Sequence, residues 1–163
     1  MIKALKWVYV LEEDYRIDKV TIPPPADCIS GCEFFDWQGN KWLVIDETGQ
    51  ARILKGYAWD GCTPKFKFWD LMLGTPDGIP HEETKRPKTY HASLVHDTLY
   101  QFLSCLPLKR RDADKAFLEY MKEYNFAPRY VYYLAVRCFG WIVRLYRKVR
   151  RKHNKGTVKN LGK

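Results

Sequence analysis

The amino-acid sequence predicts an α+β fold, with an antiparallel N-terminal β-meander packed on a C-terminal three-helix region. Three observations carry this prediction. Residues 1–57 consist of short runs rich in β-branched and aromatic residues, each closed by turn formers. From Tyr90 onward, apolar residues recur at helical spacing. Between the two halves, residues 58–89 are crowded with prolines, glycines and charges and read as a loop region. With 163 residues, 46% of them hydrophobic and 15% aromatic, the chain is long and apolar enough to be one domain with a sizeable core.

Each element follows from its own pattern. Leu5, Trp7, Tyr9 and Leu11 alternate while Val8 and Val10 fill the other face, which predicts a strand buried on both sides. Tyr15 to Ile22 is a second strand candidate, stopped by Pro23-Pro24-Pro25. Glu33 to Trp37 and Lys41 to Asp46 flank Gln38-Gly39-Asn40 as a hairpin, and Glu47-Thr48-Gly49-Gln50 turns the chain into Ala51 to Tyr57. The loop region opens on Tyr57-Ala58-Trp59-Asp60-Gly61-Cys62-Thr63-Pro64 and includes a short apolar segment, Phe66 to Leu73. Helix one is expected from Tyr90 to Leu103, with Ala92, Val95, Leu99, Phe102 and Leu103 inward. Helix two is expected from Asp112 to Tyr124, stopping before Pro128. Helix three, Arg129 to Lys152, carries Val131, Leu134, Ala135, Cys138, Ile142, Leu145, Tyr146 and Val149 on one stripe. Residues 153–163 read as a basic flexible tail.

Charge is distributed unevenly. The formal net charge is +9, and nine of the 28 Lys and Arg lie between Arg144 and Lys163, where there is no acid. The remainder holds 19 basic against 19 acidic residues, so the body is neutral and the tail carries the surplus. Five scattered cysteines lack the paired spacing of a structural zinc site, and reduced thiols in a cytoplasmic compartment are expected. The N-terminal residues show no apolar leader, and the apolar run Tyr130 to Tyr146 is short and interrupted by Arg137 and Arg144. Neither a signal peptide nor a transmembrane span is expected.

The chemistry concentrates in His96-Asp97-x-x-Tyr100 and the Asp114 that follows. On a helix His96 and Tyr100 share a face, while Asp97 is rotated by about 100°. Asp114, Phe117, Leu118 and Met121 fall at i, i+3, i+4 and i+7, which puts a carboxylate on a stripe expected to be buried. A buried charge needs a partner, and His96 with Tyr100 is the nearest candidate. A histidine oriented by one carboxylate, with a second beside it, suits a general base next to a metal. A plain structural contact between two helices uses the same residues. His91, five positions from His96, reads as an exposed helix-start residue, and Cys62 as an inert thiol.

The order Asp60-Gly61-Cys62-Thr63-Pro64, then Trp69 and Leu73-Gly74, Leu94-Val95-His96-Asp97-Thr98-Leu99-Tyr100 and Arg111-Asp112-Ala113-Asp114-Lys115-Ala116-Phe117 is similar to a phage and prophage family. That family is known as domain-of-unknown-function family 1353. The resemblance implies a phage or prophage origin, in the infected cytoplasm or on the virion, and no activity. More distantly, the pattern resembles the active-site helices of phospholipases of the A-two type, including the domain in parvovirus capsid proteins. That resemblance implies His96 as the base, Asp97 as a calcium ligand, Asp114 as the carboxylate that orients the histidine, and Tyr100 as its support. The calcium loop of those enzymes supplies backbone carbonyls. Here Tyr57-Ala58-Trp59-Asp60-Gly61 stands in its place, with Trp59 where a glycine is usual and Asp60 and Gly61 as the candidate ligands. Two rivals accompany the calcium-dependent lipid-ester hydrolase so implied. One is a non-catalytic phage accessory or virion protein, with a phage or host protein partner, whose His-Asp-Tyr cluster is structural. The other is a binding module in which Arg137, Arg144, Lys148 and Arg151 form a basic stripe for an anionic membrane surface or nucleic acid.

Overall fold

The computed structural model describes residues 9–28, 30–59, 61, 66–68, 71–73, 86–138 and 157–160. It is an α+β structure. The strands are β1 (Tyr9–Val10), β2 (Tyr15–Ile17), β3 (Cys32–Phe35), β4 (Lys41–Ile45), β5 (Ala51–Ile53), β6 (Ala58–Trp59), β7 (Phe66–Phe68), β8 (Leu71–Leu73) and β9 (Thr157–Asn160). The helices are α1 (Tyr90–Gln101), α2 (Arg110–Glu123) and α3, helical over residues 129–138. An antiparallel five-stranded sheet runs in the order β2-β5-β4-β3-β9, beside the pairs β1-β6 and β7-β8. No helix among the described residues is long and apolar enough to cross a membrane.

The hairpin between β3 and β4 forms at Gln38-Gly39-Asn40, as the sequence predicts. The Asp36 carboxylate accepts the backbone N–H of Gln38 and of Asn40 at 2.8 and 2.9 Å, and the Trp42 indole N–H at 2.8 Å. Alternate residues of the sheet then face one side: Phe34, Leu43, Ile45 and Ile53 are fully buried. Phe34 meets Phe102 at the end of α1 with ring centroids 5.7 Å apart, so the helices close over this face. The second strand is shorter than Tyr15 to Ile22. After Ile17 the backbone N–H groups of Asp18 and Lys19 donate to the Tyr120 hydroxyl of α2, at 3.1 and 3.4 Å, instead of continuing the ladder.

Trp59 joins the sheet side to α1. It is buried against Tyr9, Tyr57 and Tyr90, and its indole N–H donates to Ser93 Oγ at 3.1 Å. Ser93 lies one turn before His96 on the same helix, so this bond anchors the start of the loop region beside the helix that carries the histidine.

Helix α2 is fixed at both ends. At its start the Asp112 carboxylate accepts the Lys109 backbone N–H at 2.9 Å and places negative charge where the helix dipole favours it. At its end Asn125 takes φ 46°, while Phe126 N–H bonds Met121 O and Asn125 N–H bonds Lys122 O, both at 3.0 Å. That left-handed stop satisfies the last carbonyls and turns the chain into α3.

Several expectations are corrected. Val10, expected on a buried strand face, is 55% exposed, and residues 58–89, expected as a loop region, include β6, β7 and β8. Helix three was assigned an inward stripe of Val131 and Leu134, but these two side chains are 65% and 59% exposed. The face toward the core is instead that of Tyr132 and Val136, with Tyr132 edge-on to Phe126 at 4.9 Å. The helix has two apolar faces, and the Phe126 turn decides which one packs. Residues 157–160, expected in a flexible tail, pair with β3 from Cys32↔Asn160 to Phe35↔Thr157, because β3 otherwise presents an open edge. Cys28 and Cys32, expected as reduced thiols, are buried and joined in a disulfide with Cα atoms 5.7 Å apart. His91, expected to be exposed, is half-buried and stacked between Tyr15 and Tyr124, with ring centroids at 4.6 and 5.4 Å.

His91 accounts for one pH effect. Burial above all, and the nearby Arg86, push its pKa from 6.5 down to about 4. The unfolded chain therefore takes up this proton first, and stability falls as the pH drops from 6.5 toward 4. The loss is on the order of 2 kcal/mol after discounting for partial exposure. Thermal melts between these two pH values should show it, and His91→Phe, which keeps the stack, should flatten that slope.

Candidate functional site

The site is built where α1 and α2 face each other. On α1, His96 and Tyr100 are one turn apart with ring centroids at 4.3 Å, and the Phe117 ring of α2 lies 5.0 Å from the imidazole. Across from them Asp114 is fully buried, at 0% exposure. Its Oδ1 lies 3.2 Å from His96 Nε2 and accepts the Tyr100 hydroxyl at 2.6 Å. Its Oδ2 accepts from Arg137 Nη1 of α3 at 3.2 Å and lies 3.9 Å from Arg110 Nε. Arg110 completes the network. Its Nε donates to the Tyr100 hydroxyl at 2.7 Å, and its Nη2 to the carbonyls of Val136 and Arg137 at 2.9 and 3.0 Å. A buried carboxylate with this many donors is compensated.

The electrostatics follow from these contacts. Burial works to raise the Asp114 pKa, but the bonds from His96 and Tyr100 outweigh it and hold the carboxyl below its usual range. Burial likewise works to lower the His96 pKa, and here the Asp114 hydrogen bond and then the negative charge of the neighbouring Asp97 prevail, so the net direction is upward. Burial and the bond to Asp114 push the Tyr100 phenol up, which keeps it a neutral donor. An ionised carboxylate only accepts hydrogen bonds, so Nε2 carries the proton toward Asp114 and, in the neutral ring, Nδ1 is left with a free lone pair.

Asp97 is placed on the other side of the ring. Its Oδ1 lies 3.6 Å from His96 Nδ1, too far for a hydrogen bond, and its side chain is 37% exposed. The His96 side chain keeps 12% exposure. Gly61 is buried with φ 74°, a left-handed conformation that favours glycine. Asp60 lies outside the described residues, as do Cys62, Arg144, Lys148 and Arg151. Among the described residues, no group of three or more His, Cys, Asp or Glu converges as a metal site.

A family model described as "Protein of unknown function (DUF1353)" matches residues 46–136. The chain belongs to this family. The matched stretch takes in β5, the Trp59 anchor, α1, α2 and α3 up to Val136, and therefore His96, Asp97, Tyr100, Arg110 and Asp114. No curated protein and no solved structure matches the chain.

Arg137 differs from its sequence assignment. It was placed on a basic outer stripe, yet its guanidinium reaches the buried Asp114, because Arg110 of α2 holds the α3 backbone at Val136 and Arg137. Arg110 is a further residue of the site that no motif marks. The available signal was its i,i+4 spacing to Asp114 on one helix face. Arg137 had no such signal, since its approach depends on how α3 leaves the Phe126 turn.

Proposed function

We propose that the His96 cluster is the hydrolytic site of a phage-type protein acting on a lipid ester with the aid of a divalent cation. One observation supports this most directly. Asp114 sits on Nε2 of His96, which leaves the second ring nitrogen on the side of a half-exposed carboxylate, Asp97. In this reading His96 Nδ1 takes a proton from water as the oxygen attacks the ester carbonyl. Asp114 holds the tautomer and stabilises the imidazolium that forms, and Tyr100, Arg110 and Arg137 hold Asp114. Asp97, together with oxygen donors of Asp60 and Gly61, would hold the cation, and calcium suits carboxylate and carbonyl ligands. When bound, it would stabilise negative charge on the carbonyl oxygen.

The test is fatty-acid release from phospholipid vesicles by the full chain, in calcium and in chelator. Calcium should also raise the melting temperature, and Asp97→Asn should remove that rise while leaving the metal-free melt unchanged. Absence of ester release under both conditions would overturn the proposal. A second reading has its own support. Both carboxylate oxygens of Asp114 accept from protein groups, as in a purely structural core pair. In that reading the protein is a non-catalytic phage component, and a His96→Gln variant with an intact fold would change no chemistry.

A further inference from the structure

The inner side of α3 packs through Tyr132 and Val136, and Tyr133 is partly buried against the same core. The opposite side is also apolar. Tyr130, Val131 and Leu134 are 54%, 65% and 59% exposed, and Cys138 is exposed beside them. At 100° per residue these four positions fall within an arc of about 100°, a continuous row rather than scattered side chains. Grouped apolar side chains facing water on a helix mark a contact surface.

Charge selects the occupant. Glu123 is the last acid in the sequence; Arg137 of α3 is engaged with Asp114, but nine further Lys or Arg and no acid follow α3 in the sequence from Arg144 onward. A second copy of the chain would bring like charge against like charge. Nucleic acid would meet the positive charge but has no use for an aliphatic Val131/Leu134 row. An anionic bilayer satisfies both features, because head groups take the cations and the acyl boundary takes the side chains. We propose that the outward face of α3, the row Tyr130, Val131 and Leu134, docks on an anionic lipid surface. This docking needs no hydrolysis, and in the hydrolytic reading it names the surface on which the substrate lies.

The experiment is co-sedimentation of the full chain with vesicles of phosphatidylglycerol and phosphatidylcholine at about 0.1 M salt. The wild-type chain should bind them and bind pure phosphatidylcholine weakly. The double variant Val131→Ser, Leu134→Ser should bind about tenfold less, with an unchanged melting temperature because both side chains face water. Point substitutions are preferred to truncation, since residues 157–160 belong to the sheet. Unchanged vesicle binding by the double variant would overturn the proposal, as would no wild-type binding at all. A concentration-dependent dimer lost in the double variant would also overturn it, in favour of a second copy. Tighter retention on duplex DNA than on vesicles, unaffected by the substitutions, would do so in favour of nucleic acid. Release of a water-soluble monomeric ester, measured in parallel, reads the catalytic proposal separately.

Discussion

Asp114→Ala is expected to lower the melting temperature by about 10 °C, the largest stability effect of any single substitution in the helical half. The side chain is fully buried, receives donors from both neighbouring helices and lies 3.9 Å from the Arg110 guanidinium of its own helix. Its removal leaves Arg137, Arg110 and Tyr100 facing an uncompensated space, and breaking a buried ion pair from one side costs about 3–5 kcal/mol. For a domain of this size that corresponds to about 2–4 °C per kcal/mol. Asp114→Asn should lose less, because one oxygen is kept while an amide NH₂ meets donors. The double variant Asp114→Leu, Arg137→Met should recover part of the loss, since two apolar side chains remove the charges together. Circular-dichroism melts measure all three. A drop under 3 °C for Asp114→Ala would show that the network does not hold the helices together.

Under the hydrolytic proposal, His96→Asn should reduce calcium-dependent ester release by about a thousandfold, in line with the removal of a general base. The stability loss should stay near 1 kcal/mol, because Asp114 keeps Tyr100 and Arg137 as donors. The contrast between these two substitutions separates the readings of the cluster. A catalytic histidine gives a large kinetic and a small thermal effect. A structural one gives a thermal effect alone.

What the sequence disclosed, and what it withheld, follows from the range of the interactions involved. The two helices that carry the cluster were visible because their apolar periodicity is local, and the observed α1 starts at the expected Tyr90. The meeting of His96, Tyr100 and Asp114 was anticipated from one argument, that a carboxylate on a buried stripe needs a donor. Periodicity also located the apolar residues of α3. It did not say which of its two apolar faces would be covered, and that was decided by the left-handed Asn125 turn and the Phe126–Tyr132 contact. Residues 157–160 carry no strand pattern of their own. Their conformation comes from the hydrogen-bonding edge of β3, more than a hundred residues earlier. The Cys28–Cys32 bridge was hidden because five scattered cysteines, odd in number, gave no pairing from spacing alone.

The pairing of β9 with β3 also bears on solubility. With Thr157–Asn160 in place, β3 is an interior strand, and the row of amides running past Phe34 and Phe35 is occupied. A chain shortened before residue 157 would bare that row beside two aromatic side chains, a template on which another molecule's strand could grow. Four residues at the far end of a basic segment thus replace an edge beside two phenylalanines with a short one that carries Lys159.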